Sequence, residues 1–171
     1  MAATLLAVAA LPARGSAADL FAGYSVLDLG GDWAQGGAAG AATSRRGGAL
    51  RIGLDASAHF GGSEPVRELG LFASFALAAR ASARVSPFVV LRAGGVARRE
   101  QVEVFGVKIG TDGVCDGSCP DTFGPSAEGG GGLDVRVSGR WHLRLEAAYR
   151  ARRLSGTMEH GLRLSGGIAR R

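Results

Sequence analysis

Between Gly130 and Arg153 apolar and ionic residues alternate almost one for one. Leu143, Leu145, Ala147 and Tyr149 fall on one parity, and His142, Arg144, Glu146 and Arg150 on the other. A strand sends successive side chains to opposite faces, so a strand here has one apolar face and one crowded with ions. The same period of two recurs along the chain and predicts eight strands. Segment 20–29 aligns Leu20, Ala22, Tyr24 and Val26. Segment 49–60 aligns Leu50, Ile52, Leu54, Ala56, Ala58 and Phe60 opposite Arg51, Asp55, Ser57 and His59. Segment 68–80 sets Leu69, Leu71, Ala73, Phe75 and Leu77 against Glu68, Phe72 and Ser74. Segment 87–99 sets Val89, Leu91 and Ala93 against Arg92. Segments 128–137, 141–153 and 160–171 repeat the pattern, with Asp134, Arg136 and Arg163 among the ions. Segment 33–43 is the weakest of the eight, because it is built of small residues with poor strand propensity.

The connections carry a second signal. Short turns follow the second, fourth and sixth strands, at 44–48, 81–86 and 138–140. The fifth is followed by a long segment, 100–127. Short turns at one end and longer loops at the other are the habit of up-and-down membrane barrels. Which face looks inward then decides the class. A soluble exported barrel of the lipocalin kind would bury its Leu face around a small apolar ligand. A membrane barrel turns that face to lipid and pairs its ions in the lumen. The apolar parity is rich in Ala and Gly, which suits a lipid-facing wall better than a core that must fill volume. The predicted fold is therefore all-β, an eight-stranded antiparallel up-and-down transmembrane barrel.

Composition narrows the function. The 171 residues suit one domain. The formal net charge is +5, almost all of the positive charge being arginine. Those arginines are spread singly along the alternating segments rather than gathered in a patch, which argues against a nucleic-acid partner. Twenty-nine glycines exceed ordinary usage without a Gly-X-Y period. Residues 1–18 hold an apolar run from Leu5 to Leu11, then Ser16-Ala17-Ala18 before Asp19. This predicts a signal peptide cleaved before Asp19, although no Lys or Arg precedes the run. The barrel domain is then 19–171.

The candidate site is the lumen. At eight strands a barrel interior is just wide enough for side chains to fill. Arg51, Asp55, Glu68, Arg92, Asp134, Arg136, Arg144, Glu146, Arg150 and Arg163 are the expected members of a structural ionic network, with no open pore. Ser57 and His59 share a face with Asp55, but residues two apart on a strand stand ~6–7 Å from each other, too far for a direct Ser–His hydrogen bond. No catalytic set, cofactor or zinc spacing is predicted. Cys115 and Cys119 lie in a run dense in Gly, Asp and Pro, where a small disulfide loop is the simplest expectation for an exported chain. Asp112, Asp116 and Asp121 nearby do not have the spacing of a calcium loop.

The chain also resembles the bacterial outer-membrane β-barrel domain family, the small OmpA/OmpX-like eight-stranded porin-like proteins. "DLFAGYSVL" resembles that family's first strand. "LRIGLDASAHF", "SPFVVLRAGGVAR" and "EGGGGLDVRVSGRWHLRLEAAYRARRL" are similar to later ones, and "GLRLSGGIARR" to the closing strand. The likeness covers roughly residues 19–171 and lies in order and spacing, not in any catalytic motif. It implies outer-membrane lipid and the barrel-assembly machinery as partners, and a structural or surface-interaction role. Closing strands of that family usually end in an aromatic residue, whereas this one ends Ala169-Arg170-Arg171.

Overall fold

The computed structural model describes residues 17–28, 31, 33–45, 49–61, 66–79, 83–99, 102–104, 107–110, 113–115 and 122–171; the side chains of 17, 66 and 102–115 are not described. Eight long strands carry the barrel: β1 (Ala17–Asp28), β2 (Trp33–Arg45), β3 (Leu50–Gly61), β4 (Val66–Ala78), β5 (Val85–Arg99), β9 (Thr122–Ser138), β10 (Trp141–Leu154) and β11 (Thr157–Arg170). Three short ones, β6 (Val102–Val104), β7 (Val107–Gly110) and β8 (Gly113–Cys115), form a separate small sheet between β5 and β9. Every barrel strand pairs antiparallel with its neighbours, and β1 pairs with β11 to close the ring. Closure satisfies the backbone groups of both terminal strands and leaves the barrel itself without an edge.

All eight predicted strands form. Most run a few residues past their patterns, and two form where the pattern is weak. β2 pairs along its whole length with β1 and β3 although Gly36, Gly37 and Gly40 weaken it, because flanking ladders override local propensity. β9 starts six residues before the predicted 128. Gly124 and Pro125 hide its first turn of alternation, yet Phe123 pairs with Ala97 and Ser126 with Gly94. The segment from 100, expected as a loop to 127, therefore ends at 121 and contains the small sheet. The expected cleavage point, before Asp19, lies two residues inside β1; residues 1–16 are outside the described set.

The faces are those of a membrane barrel. Ile52, Leu54, Leu71, Leu91, Leu145 and Ile168 all point outward, with Leu91 62% exposed. The inward parity carries Arg, Glu, Asp, Ser and His, most of them buried. The Leu face that a soluble ligand-binding barrel would bury is on the outside. Among the described residues buried apolar side chains form two small clusters, Ala76, Ala78, Phe88 and Val90 in one and Phe72, Val96 and Leu154 in the other.

Candidate functional site

The interior is organised around carboxylates shared between arginines. Glu146, on β10, takes a bidentate pair from Arg92 on β5, at 2.6 and 2.9 Å, and a third bond from Arg163 on β11 at 2.9 Å. Arg163 also reaches Glu128 on β9 at 3.0 Å. Arg92 binds Asp55 with its Nε, and Arg150 joins Glu128 to Glu68 on β4. Glu68 accepts from Arg152 as well, and Arg152 in turn binds Glu159 at 2.7–2.9 Å, together with Arg98. Among the described residues this group holds five carboxylates (Asp55, Glu68, Glu128, Glu146, Glu159) and five arginines (Arg92, Arg98, Arg150, Arg152, Arg163), whose formal charges sum to zero. Neutrality matters because an unpaired ion in a water-poor interior is very costly, whereas bidentate Arg–carboxylate geometry recovers much of the desolvation.

A second group sits toward the end that holds the chain's first and last strands' outer residues. Asp134 binds Arg144 at 2.8 Å, Arg51 at 2.9 Å, and Arg171. Asp19 lies 3.5 Å from Arg51. Three arginines against two aspartates leave it one positive charge in excess. Aromatic faces take part of that excess: Arg51 and Arg144 lie 5.4 and 5.1 Å from the Phe88 ring, and Arg144 is 5.2 Å from Phe21. Between the groups, Asp55, Arg92, Phe88 and Arg144 line a void of about 30 Å³, room for one or two waters.

Nine of the ten expected network residues thus lie inside the barrel and share ion pairs. Arg136, the tenth, lies nearer the barrel rim. Its parity is inward, since it pairs with His142, but it stands at the rim beyond the filled lumen and is exposed, its Nη2 3.4 Å from the carbonyl of Ala83. A register shift at Trp141/His142 marks the same place. Alternation reports the face of a residue and not its depth. The pattern also missed members. Glu128 shares the parity of Asp134, and Arg152 that of Arg150, so both were available to it. Asp19, Arg98 and Glu159 lie near strand ends where no local signal separates lumen from rim.

Ser57 does not meet His59. The His59 Nε2 instead stands 2.6 Å from Ser25 Oγ, across β2. Both side chains are fully buried, and His59 Nδ1 has no hydrogen-bond partner among the described residues. Among the described residues no third group hydrogen-bonds the imidazole to orient it as a catalytic set requires. The contact passes over Gly36, which pairs with Ser25 on one side and His59 on the other. A Cβ at Gly36 would come 1.8 Å from the backbone oxygen of Ala58. Gly36→Ala is therefore expected to push β2 from β3 and cost about 1–3 kcal/mol, the range of overpacked interiors; denaturant unfolding of the folded barrel checks it. Cys119 and the side chain of Cys115 lie outside the described residues, and the expected disulfide with them. Among the described residues no cluster of metal-ligating side chains occurs.

No family model matches the chain, and no curated protein matches it. Solved structures do. Neisserial surface protein A (NspA) is similar over 92% of this chain and 99% of its own, at a TM-score of 0.59 and 16% identity. The N-terminal β-barrel domain of Pseudomonas aeruginosa OprF covers 89% of this chain and 96% of its own, at 0.51 and 12%. Ail, the attachment invasion locus protein of Yersinia pestis, solved with the heparin analogue sucrose octasulfate, covers 90% and 97%, at 0.51 and 13%. These neighbours are small outer-membrane barrels, and the chain has the closed, eight-stranded antiparallel fold that they share.

Proposed function

We propose that this chain is an outer-membrane β-barrel protein with a structural or surface-interaction role, a side-chain-filled lumen, no open pore and no enzymatic activity. One observation carries the reading: the wall is apolar outward while an ionic network, five acids and five arginines among the described residues, fills the inside. Such a network braces strands that have little apolar core to pack, and arginines forked between carboxylates obstruct ion passage. Interaction then belongs to the loops. Ail was solved with a polyanion. The connections 29–32, 62–65 and 100–121 of this chain carry seven acids (Asp32, Glu64, Glu100, Glu103, Asp112, Asp116, Asp121) against Lys108 alone, a formal −6. That charge favours a cationic surface partner over a polyanion.

The test has two parts. The folded protein should shift its gel mobility on boiling and fractionate with outer membranes. In planar bilayers it should give no sustained conductance steps. A soluble, heat-insensitive protein ends the membrane reading, and stable single-channel steps end the filled lumen.

A further inference from the structure

We propose that the barrel end bearing the turns at 46–49, 79–84 and 139–140 is a binding collar for anionic glycerophospholipid headgroups. The inference rests on the membrane-barrel reading and adds a partner and an orientation to it. Arg45, Arg84, Arg140 and Arg170 are all exposed at this end. They sit at the end of β2, just before β5, in the β9–β10 turn and at the end of β11, and so are distributed around the ring. The three turns also contain Arg46 and Arg80, and no Asp or Glu. The carboxylates nearest this end among the described residues, Asp19 and Asp134, are buried and already engaged by Arg51, Arg144 and Arg171. The turns therefore sum to +4 (Arg46, Arg80, Arg84, Arg140) against −6 in the opposite connections.

Position identifies the partner class. The collar adjoins the outward apolar wall at Val85, Val137 and Trp141, the last two 72% and 51% exposed. The Arg170 guanidinium lies 5.9 Å from the Trp141 ring. Exposed tryptophan with a basic neighbour at the edge of an apolar band marks headgroup depth. Arginine reaches from such a band to the interface and forks onto phosphate oxygens. A polyanionic chain would need the charges in one contiguous stripe; a ring of charges around a lipid-facing cylinder matches a surrounding annulus of headgroups. The collar end then faces the leaflet rich in anionic glycerophospholipid, and the acidic loops face away from it.

The full chain, folded in bilayers of phosphatidylcholine with a minor fraction of phosphatidylglycerol, is probed with spin-labelled versions of each lipid. The motionally restricted fraction gives the relative association. A basic residue at an anionic surface contributes about fivefold, so the annulus as a whole should prefer phosphatidylglycerol by about threefold or more at low salt. The preference should fade at high salt. It should fall to near unity in the variant Arg45→Gln, Arg84→Gln, Arg140→Gln, Arg170→Gln, and persist when the same four become Lys. If the fourfold Gln variant does not fold, Arg84→Gln with Arg140→Gln is read instead, and an unchanged preference there counts against the collar. Exchange of chloride for inorganic phosphate at equal ionic strength should leave the preference intact; its selective loss means a phosphate-ion site and overturns the lipid assignment. A wild type that inserts and shifts on boiling but shows no headgroup preference overturns this inference alone. A wild type that never inserts overturns the membrane reading and the collar together.

Discussion

Glu68→Ala is expected to lower the free energy of unfolding by about 3–5 kcal/mol, the cost of breaking a buried pair from one side. Glu68 is fully buried and accepts from both Arg150 and Arg152, which are themselves almost inaccessible. Its loss leaves a surplus positive charge on Arg150 and Arg152, whose side chains are almost wholly buried from bulk solvent. The remaining partners, Glu128 for Arg150 and Glu159 for Arg152, keep each arginine tethered but single. Arg150 also stays over the Phe72 ring at 5.2 Å, which holds it in the uncompensated position. Urea unfolding in micelles, followed by the fluorescence of Trp33 and Trp141, measures the effect. Glu68→Gln keeps the shape and one good acceptor, and should cost less than the alanine. A loss under about 1 kcal/mol for Glu68→Ala, the level of an exposed pair, would mean that the network does not brace the barrel.

Leu54→Arg should cost about 2–4 kcal/mol in a bilayer, and Leu50→Arg about 0–1 kcal/mol, because the penalty for a lipid-facing arginine falls from midplane to interface. Both residues lie on the outward parity of β3. Leu54 is near the strand's middle and 48% exposed, and Leu50 is its first residue. Depth alone separates them, so the comparison tests the lipid-facing wall and not merely the tolerance of β3 to a large side chain. The measurement is the folded fraction on gels after refolding into vesicles, across denaturant. Equal costs at the two sites, or no cost at Leu54, would remove lipid from the outer face.

What local chemistry determines here is mostly binary. Strand residues alternate faces whatever their partners, so Leu54 against Asp55, or Leu145 against Glu146, is legible in the chain itself. Two-sidedness with small apolar residues and ions of both signs favours a membrane barrel over a soluble one from the chain alone. Nine lumen residues followed from that parity. The pairing among them did not, since Glu68 meets Arg150 and Arg152 across 82 and 84 residues of sequence. Only barrel closure, through β1 and β11, converts eight faces into one enclosed volume and decides which acid faces which arginine. The same holds for Ser25 and His59, which meet because Gly36 between them has no side chain. It holds for β2 and the start of β9, whose glycines carry no pattern and are strands because ladders form on both sides. Arg136 shows the limit from the other direction: its face was readable, but its depth along the barrel axis depends on where neighbouring strands end. Period and parity are properties of one strand's backbone; depth, pairing and enclosure are properties of the shear and closure of all eight.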